Sequence, residues 1–269
     1  MKRNRVVIIL LLASFVFVLS ACGSSTKDGT QSDQTSESSD EGNNETGDQT
    51  KLVMGTSADY PPFESRNPEG DIVGFDIELA NYIADELGLE LEIRDMSFDG
   101  LIGALQAERV DMVISGMSAD EDRRQNVDFS VEYHHSGEMF VTQKDSDLTS
   151  LDDLNGTTIG VQLGSIQQEG AEGLQEEYDF EIKALDDAQA LIQELLTDRL
   201  DAVYLDKEVA LGFIEAQDLI GFDDPSGTTP GMAVAFPKGS DLVEKIDTII
   251  EQAIDTGVLA KWEAEWLSE

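Results

Sequence analysis

After residue 50 the chain alternates between two hydrophobic periodicities, and that alternation points to a class of fold before any single residue is weighed. Short apolar runs bounded by turn residues predict strands at 52–55, 89–94, 110–115, 158–161, 181–185, 201–204 and 232–236. Between them, apolar residues at helical spacing predict helices at 76–87, 99–107, 166–177, 188–197, 207–216 and 241–266. In the first of these, Ile77, Ala80, Ile83, Ala84 and Leu87 form one face, and Gly88 supplies the stop. Alternating strands and helices indicate an α/β architecture. One rhythm occurs twice: a strand, a helix, then a strand ending in small or acidic residues, once before Arg123 and once before Asp206. Two α/β lobes whose strand ends face a common cleft account for it. Stretches 138–142 and 231–236 then read as the crossings between lobes, and the C-terminal helices return to the first lobe.

The first fifty residues follow neither period. Lys2, Arg3 and Arg5 precede an uncharged apolar run from 6 to 19, followed by Ser20, Ala21 and Cys22. A basic segment, a short apolar segment and small residues describe a secretory signal over 1–21 rather than a spanning helix. The string LSAC resembles the lipobox of bacterial lipoproteins, which implies a diacylglycerol group on Cys22 and attachment to the membrane by lipid. From 22 to 50 the residues are small, polar or acidic, without an aromatic or aliphatic side chain, and read as a disordered tether. With Cys22 committed to the anchor, no thiol remains for a disulfide or a metal.

Charge narrows the partners. The chain carries 56 acidic against 17 basic residues, a formal net charge of -39, which excludes nucleic acid because a polyanion needs a basic footprint. Arg123 is a scarce cation in this field, and it follows the strand and small-residue turn of DMVISGMSADEDRRQNVDFS at 111–130. Such an arginine can grip a carboxylate with two parallel N–H donors. It can equally be a solvated ion pair of little energetic weight, as can the adjoining Arg124. Asp206, after DAVYL, suits a ligand cation or the N-cap of the next helix. The only histidines, His134 and His135, are neighbours on an extended segment and point to opposite faces, a poor metal pair. No phosphate loop or nucleophile elbow is present, so no cofactor is expected.

Several motifs together carry a resemblance from about residue 51 to 266: GTSADYPPFE at 55–64, GFDIELA at 74–80, RRQNVDFS at 123–130 and GVQLGSIQ at 160–167. They resemble the polar amino-acid-binding proteins that serve ABC importers. The resemblance implies a two-lobed, periplasmic-binding-protein-like (type II) fold with a two-strand hinge and a ligand cleft between lobes. Lobe 1 is expected at 51–136 plus 230–269 and lobe 2 at 137–229. It implies a monomer that presents a free amino acid to permease subunits on the extracytoplasmic face of the membrane. Carried over by position, Arg123 takes the ligand carboxylate together with N–H groups at Ser165, Ile166 and Gln167. Asp206, Ser118 and the Gly116 carbonyl take the ammonium, while Tyr60 and Phe98 flank the side-chain slot. Ser57 and Ser115 complete the set of expected ligand contacts.

Departures from the family pattern bear on the ligand. Ser57 stands where relatives for basic amino acids often have an aspartate, with Asp59 close by. Asp120 and Ile166 replace hydroxyl residues, so carboxylate contacts there fall to backbone N–H groups. DMSFDGLIGALQAERVD and VQLGSIQQ look most like the arginine or lysine branch, with glutamine and cystine as competitors. Another class on the same fold is a cyclohexadienyl or arogenate dehydratase-like enzyme, which needs a general acid beside the substrate carboxylate; Asp206 or Glu138 would have to serve. The net charge itself makes a prediction. Raising salt from about 0.01 to 1 M, which shortens the screening length from roughly 30 to 3 Å, raises the urea unfolding midpoint.

Overall fold

Parallel strands cannot be joined by a tight turn, so most apolar runs in this chain are followed by a helix that brings the backbone back. The computed structural model describes residues 50–225 and 229–267; the signal segment, Cys22 and the tether up to residue 49 lie outside them. The chain opens with β1 (Lys51–Thr56), then a small sheet of β2 (Asp59–Tyr60), β3 (Glu64–Arg66) and β4 (Ile72–Val73). There follow α1 (Phe75–Leu87), β5 (Glu90–Asp95), α2 (Leu101–Gln106), β6 (Met112–Val113), the single turn α3 (Glu121–Arg124) and β7 (Asp128–His134). A second group comprises β8 (Glu138–Thr142), β9 (Thr158–Gln162), α4 (Ile166–Leu174), β10 (Glu181–Leu185) and α5 (Ala188–Leu196). It ends with β11 (Ala202–Asp206), α6 (Lys207–Gln217) and β12 (Ile220–Asp223). Then come β13 (Met232–Phe236), α7 (Val243–Asp255), α8 (Val258–Trp262) and a π-helical turn, Glu263–Leu267.

These strands make two five-stranded sheets, ordered β5-β1-β6-β13-β7 and β10-β9-β11-β8-β12. In each, three parallel strands run second-first-third, and the fourth strand is antiparallel to both neighbours. The order reverses beside β1 in one sheet and β9 in the other, so both sheets have a switch point where ligands bind in open α/β folds. Core packing follows the helical pattern: α1 buries Phe75, Ile77, Leu79, Ala80, Ile83 and Ala84, and α7 buries Ile246, Ile249, Ile250 and Ala253. Each of the phenylalanine, leucine and isoleucine side chains among these contributes about 1.5–3 kcal/mol when fully removed from water.

The crossings differ from expectation. Stretches 138–142 and 231–236 are not connectors: 138–142 is β8, wholly buried and paired with β11, and 232–236 is β13, paired with β6 and β7. Their unbroken burial is that of central strands. The chain instead passes between the sheets at 135–137 and again after Asp223, before Met232. At the first passage His134 lies between Glu263, 3.3 Å away, and Glu208, 3.8 Å away on the second sheet's side. Burial alone lowers the His134 pKa, but these two carboxylates outweigh it and raise the pKa above its ordinary value.

The long helix expected at 241–266 is broken at Gly257, whose φ of 75° ends α7 and starts α8. The strands β7 and β12 and the small sheet were not among the expected strands, although Phe129, Val131 and Tyr133 alternate along β7. Gly88 does end α1, with φ 68° and its N–H directed to the Ala84 and Asp85 carbonyls. A Cβ at Gly88 would meet no atom within 4 Å, so Gly88→Ala tests backbone conformation alone. We expect it to lower the unfolding free energy by about 1 kcal/mol, measured by denaturant titration.

Candidate functional site

Much of what surrounds the space between the sheets follows the carboxyl ends of parallel strands. Ser57 and Tyr60 follow β1; Phe98 follows β5; Ser115, Gly116 and Ser118 follow β6; Gln162 ends β9; Asp206 ends β11. A cavity of about 280 Å³ of non-atom space lies there. Its wall is formed by Tyr60, Phe98, Gly116, Ser118 and Arg123 from one side and Gln162, Ser165, Ile166, Gln167 and Asp206 from the other. Nine of the expected site residues thus meet around one enclosed space.

Arg123 is held almost out of solvent, with its side chain 10% exposed. Asp120 caps α3 by accepting the Arg123 N–H at 2.8 Å and stands 3.0 Å from Nε as an ion pair. Nη1 donates to the Ser118 carbonyl at 2.8 Å, and Nη2 donates across the cleft to the Gly164 carbonyl at 3.0 Å. The guanidinium also lies over the Phe98 ring, 5.3 Å from its centroid. Of the five N–H donors of an arginine, one on each terminal nitrogen is left for a ligand, which is the pair a carboxylate accepts. Asp120 thus supports the cation, whereas the sequence had suggested only the loss of a hydroxyl.

The opposite wall supplies donors and an anion. Ser165 caps α4, its Oγ accepting from Gln168 N–H at 3.1 Å and donating to the Gln162 carbonyl at 2.7 Å. That commitment leaves the first N–H groups of α4, at Ile166 and Gln167, pointing out of the helix end where anions bind. The Gln167 side chain is turned away, donating to Glu138 at 2.7 Å. Asp206 both caps α6, through Glu208 N–H at 3.1 Å, and lines the cavity. Burial, with Glu208 and Glu138 near, pushes its pKa well up. A ligand cation would reverse that.

Two expected residues are not on the wall. Ser115 Oγ accepts from Ser57 N–H at 3.0 Å and donates to Glu64 at 2.8 Å, so its hydroxyl faces the interior behind the turn. Ser57 Oγ donates to Asp59 at 2.8 Å. Gln162 was missed; its signal was its place at the end of a predicted parallel strand, next to the glycine turn.

The lobes also touch directly. Asp59 Oδ2 accepts from Gln162 Nε2 at 3.0 Å and from the Ala188 N–H at 2.6 Å, so it caps α5 from the far side of the cleft. Burial raises Asp59 to about 6 although its donors oppose this. Tyr60 Oη accepts the Asp206 N–H at 3.2 Å. The described conformation is therefore closed.

Two α/β lobes closed on a polar cavity, with a buried cation on one side and a buried anion on the other, define a two-lobed solute-binding protein. The chain belongs to the bacterial extracellular solute-binding proteins of family 3, which its residues 52–269 match. It is 41% identical over 265 residues to the arginine-binding extracellular protein ArtP of Bacillus subtilis strain 168, covering 97% of each chain. It resembles the structure of an ancestral arginine-binding protein bound to arginine, with TM-score 0.77 and 36% identity, over 81% of this chain and 99% of that one. It also resembles the ancestral amino acid-binding protein AncCDT-1, a precursor of cyclohexadienyl dehydratase, with TM-score 0.76 and 30% identity, over 81% and 96% of the two chains.

The closed contacts single out one backbone position. Gly164 has φ 77°, and a Cβ there would lie 3.2 Å from Asp99 Cβ and 3.3 Å from its Cα, on the opposing lobe. Gly164→Ala is expected to hold the lobes apart and weaken ligand binding by about tenfold, equivalent to about 1.4 kcal/mol, with the shift to an open form read by small-angle scattering.

Proposed function

We propose that this chain captures a free amino acid with a basic side chain in the cavity between its lobes and presents it, as a monomer, to the permease of an ABC importer. The observation that carries the reading is the pairing of Arg123 with Asp206 on opposite sides of an enclosed slot between Tyr60 and Phe98. Arg123 and the α4 N–H groups suit an α-carboxylate; Asp206, Ser118 and the Gly116 carbonyl suit an ammonium. Gln162 lines the slot, with the Asp59 carboxyl directly behind it, an acidic neighbour that suits a distal cation. The net charge of -39 draws cations toward the surface. The names of the similar proteins, an arginine-binding ArtP and an arginine-bound ancestral protein, agree with this ligand class. On the same reading the chain is extracytoplasmic and held at the membrane by lipid on Cys22.

Catalysis of a dehydratase type would need a protonated acid on the cavity wall. Burial raises Glu138 to about 7, yet it is absent from that wall, and its two oxygens accept from Gln167 and Thr229; Asp206 is on the wall and burial raises its pKa too, but one of its oxygens is taken up by the Glu208 N–H and the Ser136 hydroxyl. Binding without turnover is the better account of this arrangement.

A thermal-shift and calorimetric screen of the twenty amino acids with ornithine, citrulline and cystine tests the proposal. Arginine or lysine is expected to raise the melting temperature most and to be recovered unchanged. Arg123→Ala and Asp206→Asn each remove about 2–5 kcal/mol of binding, roughly 30- to 5,000-fold in Kd, while the circular dichroism spectrum persists. Full affinity in either variant, or turnover of an arogenate-like acid, overturns it.

A further inference from the structure

Behind the turn that carries Gly116 and Ser118, two acids lie in contact in the interior of the first lobe. Glu64, on β3, and Asp76, in the first turn of α1, are both 0% exposed. One oxygen of each is accounted for. Glu64 Oε1 accepts from Ser115 Oγ at 2.8 Å, while Asp76 Oδ2 accepts from Gly116 N–H at 2.6 Å and from Tyr133 Oη at 3.0 Å. The remaining oxygens, Glu64 Oε2 and Asp76 Oδ1, are buried and receive no donor from any other described residue. The two carboxyl groups are hydrogen-bonding neighbours of each other.

Two bare carboxylates in this position would repel each other in a medium that screens them poorly. A single proton between them replaces the repulsion with a charge-assisted O–H···O bond and satisfies both orphan oxygens. The carrier can be assigned. Asp76 accepts two donors and sits at the N-terminal end of α1, both of which favour its charged form. Glu64 accepts only one neutral hydroxyl.

We infer that Glu64 and Asp76 hold one shared proton, carried on Glu64, and that this carboxyl pair is the positioning device for the ligand-facing turn. The pair grips consecutive residues from its two ends, Ser115 through Glu64 and Gly116 through Asp76. Ser115 Oγ in turn takes the Ser57 N–H, which extends the grip to the loop after β1. The Gly116 N–H is thereby pinned inward. Burial, followed by mutual repulsion, pushes Glu64 far above the carboxylate range, and burial also raises Asp76. The other ionisable groups around the pair are Asp59 and Tyr60 beside Glu64, and Tyr133 and His134 from β7 beside Asp76. His134 is the only group among them whose charged form is a cation.

The effect on the turn is independent of any ligand, and only the affinity readout rests on the proposed function. The test compares the ligand-free chain with Glu64→Gln and Glu64→Met at neutral pH. The infrared difference spectrum of wild type against Glu64→Gln is expected to show a protonated-carboxyl carbonyl band in the wild type only. Glutamine can donate to Asp76 and accept from Ser115, so hydrogen-exchange protection of the Gly116 and Ser57 amides is retained. Methionine can do neither. Its variant is expected to lose protection at both amides and to bind the amino acid at least about tenfold more weakly, whereas glutamine stays within about threefold of wild type. If the methionine variant does not fold, Asp76→Asn replaces it: the asparagine amide donates to an ionised Glu64, so the band disappears there too. Absence of the band, or full protection and affinity in Glu64→Met, overturns the inference. The expected band and protection in a chain that binds no amino acid would sink the functional reading and leave the carboxyl pair standing.

Discussion

A guanidinium withdrawn from water must be given acceptors, and the way Arg123 receives them organises the site. Two acceptors, Asp120 and the Ser118 carbonyl, belong to its own segment. The third, the Gly164 carbonyl, belongs to the other lobe and is in reach only when the lobes are together. The cation is thus aimed before a ligand arrives and completed by closure. The same segment explains the brevity of α3: its four residues serve to set one side chain, and Asp120 caps the turn with one oxygen and faces the guanidinium with the other.

The parts of the fold legible in the sequence were those with a strong period. The faces of α1 and α5, the apolar runs of β1, β9 and β11 and the glycine after α1 all follow from spacing and helix-end chemistry. The parts that were not legible depend on partners distant in sequence. β8 reads as a connector because nothing in its five residues says that it will be covered on both faces; its burial comes from β11 and β12. The break at Gly257 was concealed by apolar residues on both sides. In the site, Arg123 and Asp206 were recognisable by charge, position and resemblance together. Ser57 and Ser115 turn their hydroxyls to Asp59 and Glu64 rather than to the cavity, because a hydroxyl's direction is decided by the acid that lies behind it. Gln162 carried no charge to draw attention.

The acidic composition acquires a second meaning in the interior. Surface carboxylates set the field, but the buried ones, Asp59, Glu64, Asp76, Glu138 and Asp206, meet neutral donors far more often than lysine or arginine. Backbone N–H groups, hydroxyls and amides do the work of cations. Neutral donors of this kind fix geometry without supplying a counter-charge, so burial raises the pKa of every one of these acids while each keeps a defined direction.

Among the described residues, hydrogen bonds join the lobes with no ligand taking part: Gln162 and Ala188 to Asp59, Asp206 to Tyr60, and Arg123 to Gly164. Each deepens the well of the shut form whether or not it is filled. Such bonds slow escape of a trapped molecule, and by the same amount they raise the fraction of empty molecules that wear the loaded outline. Any partner that reads only that outline would be triggered idly. The strength of those few contacts therefore sets a compromise between grip and false report.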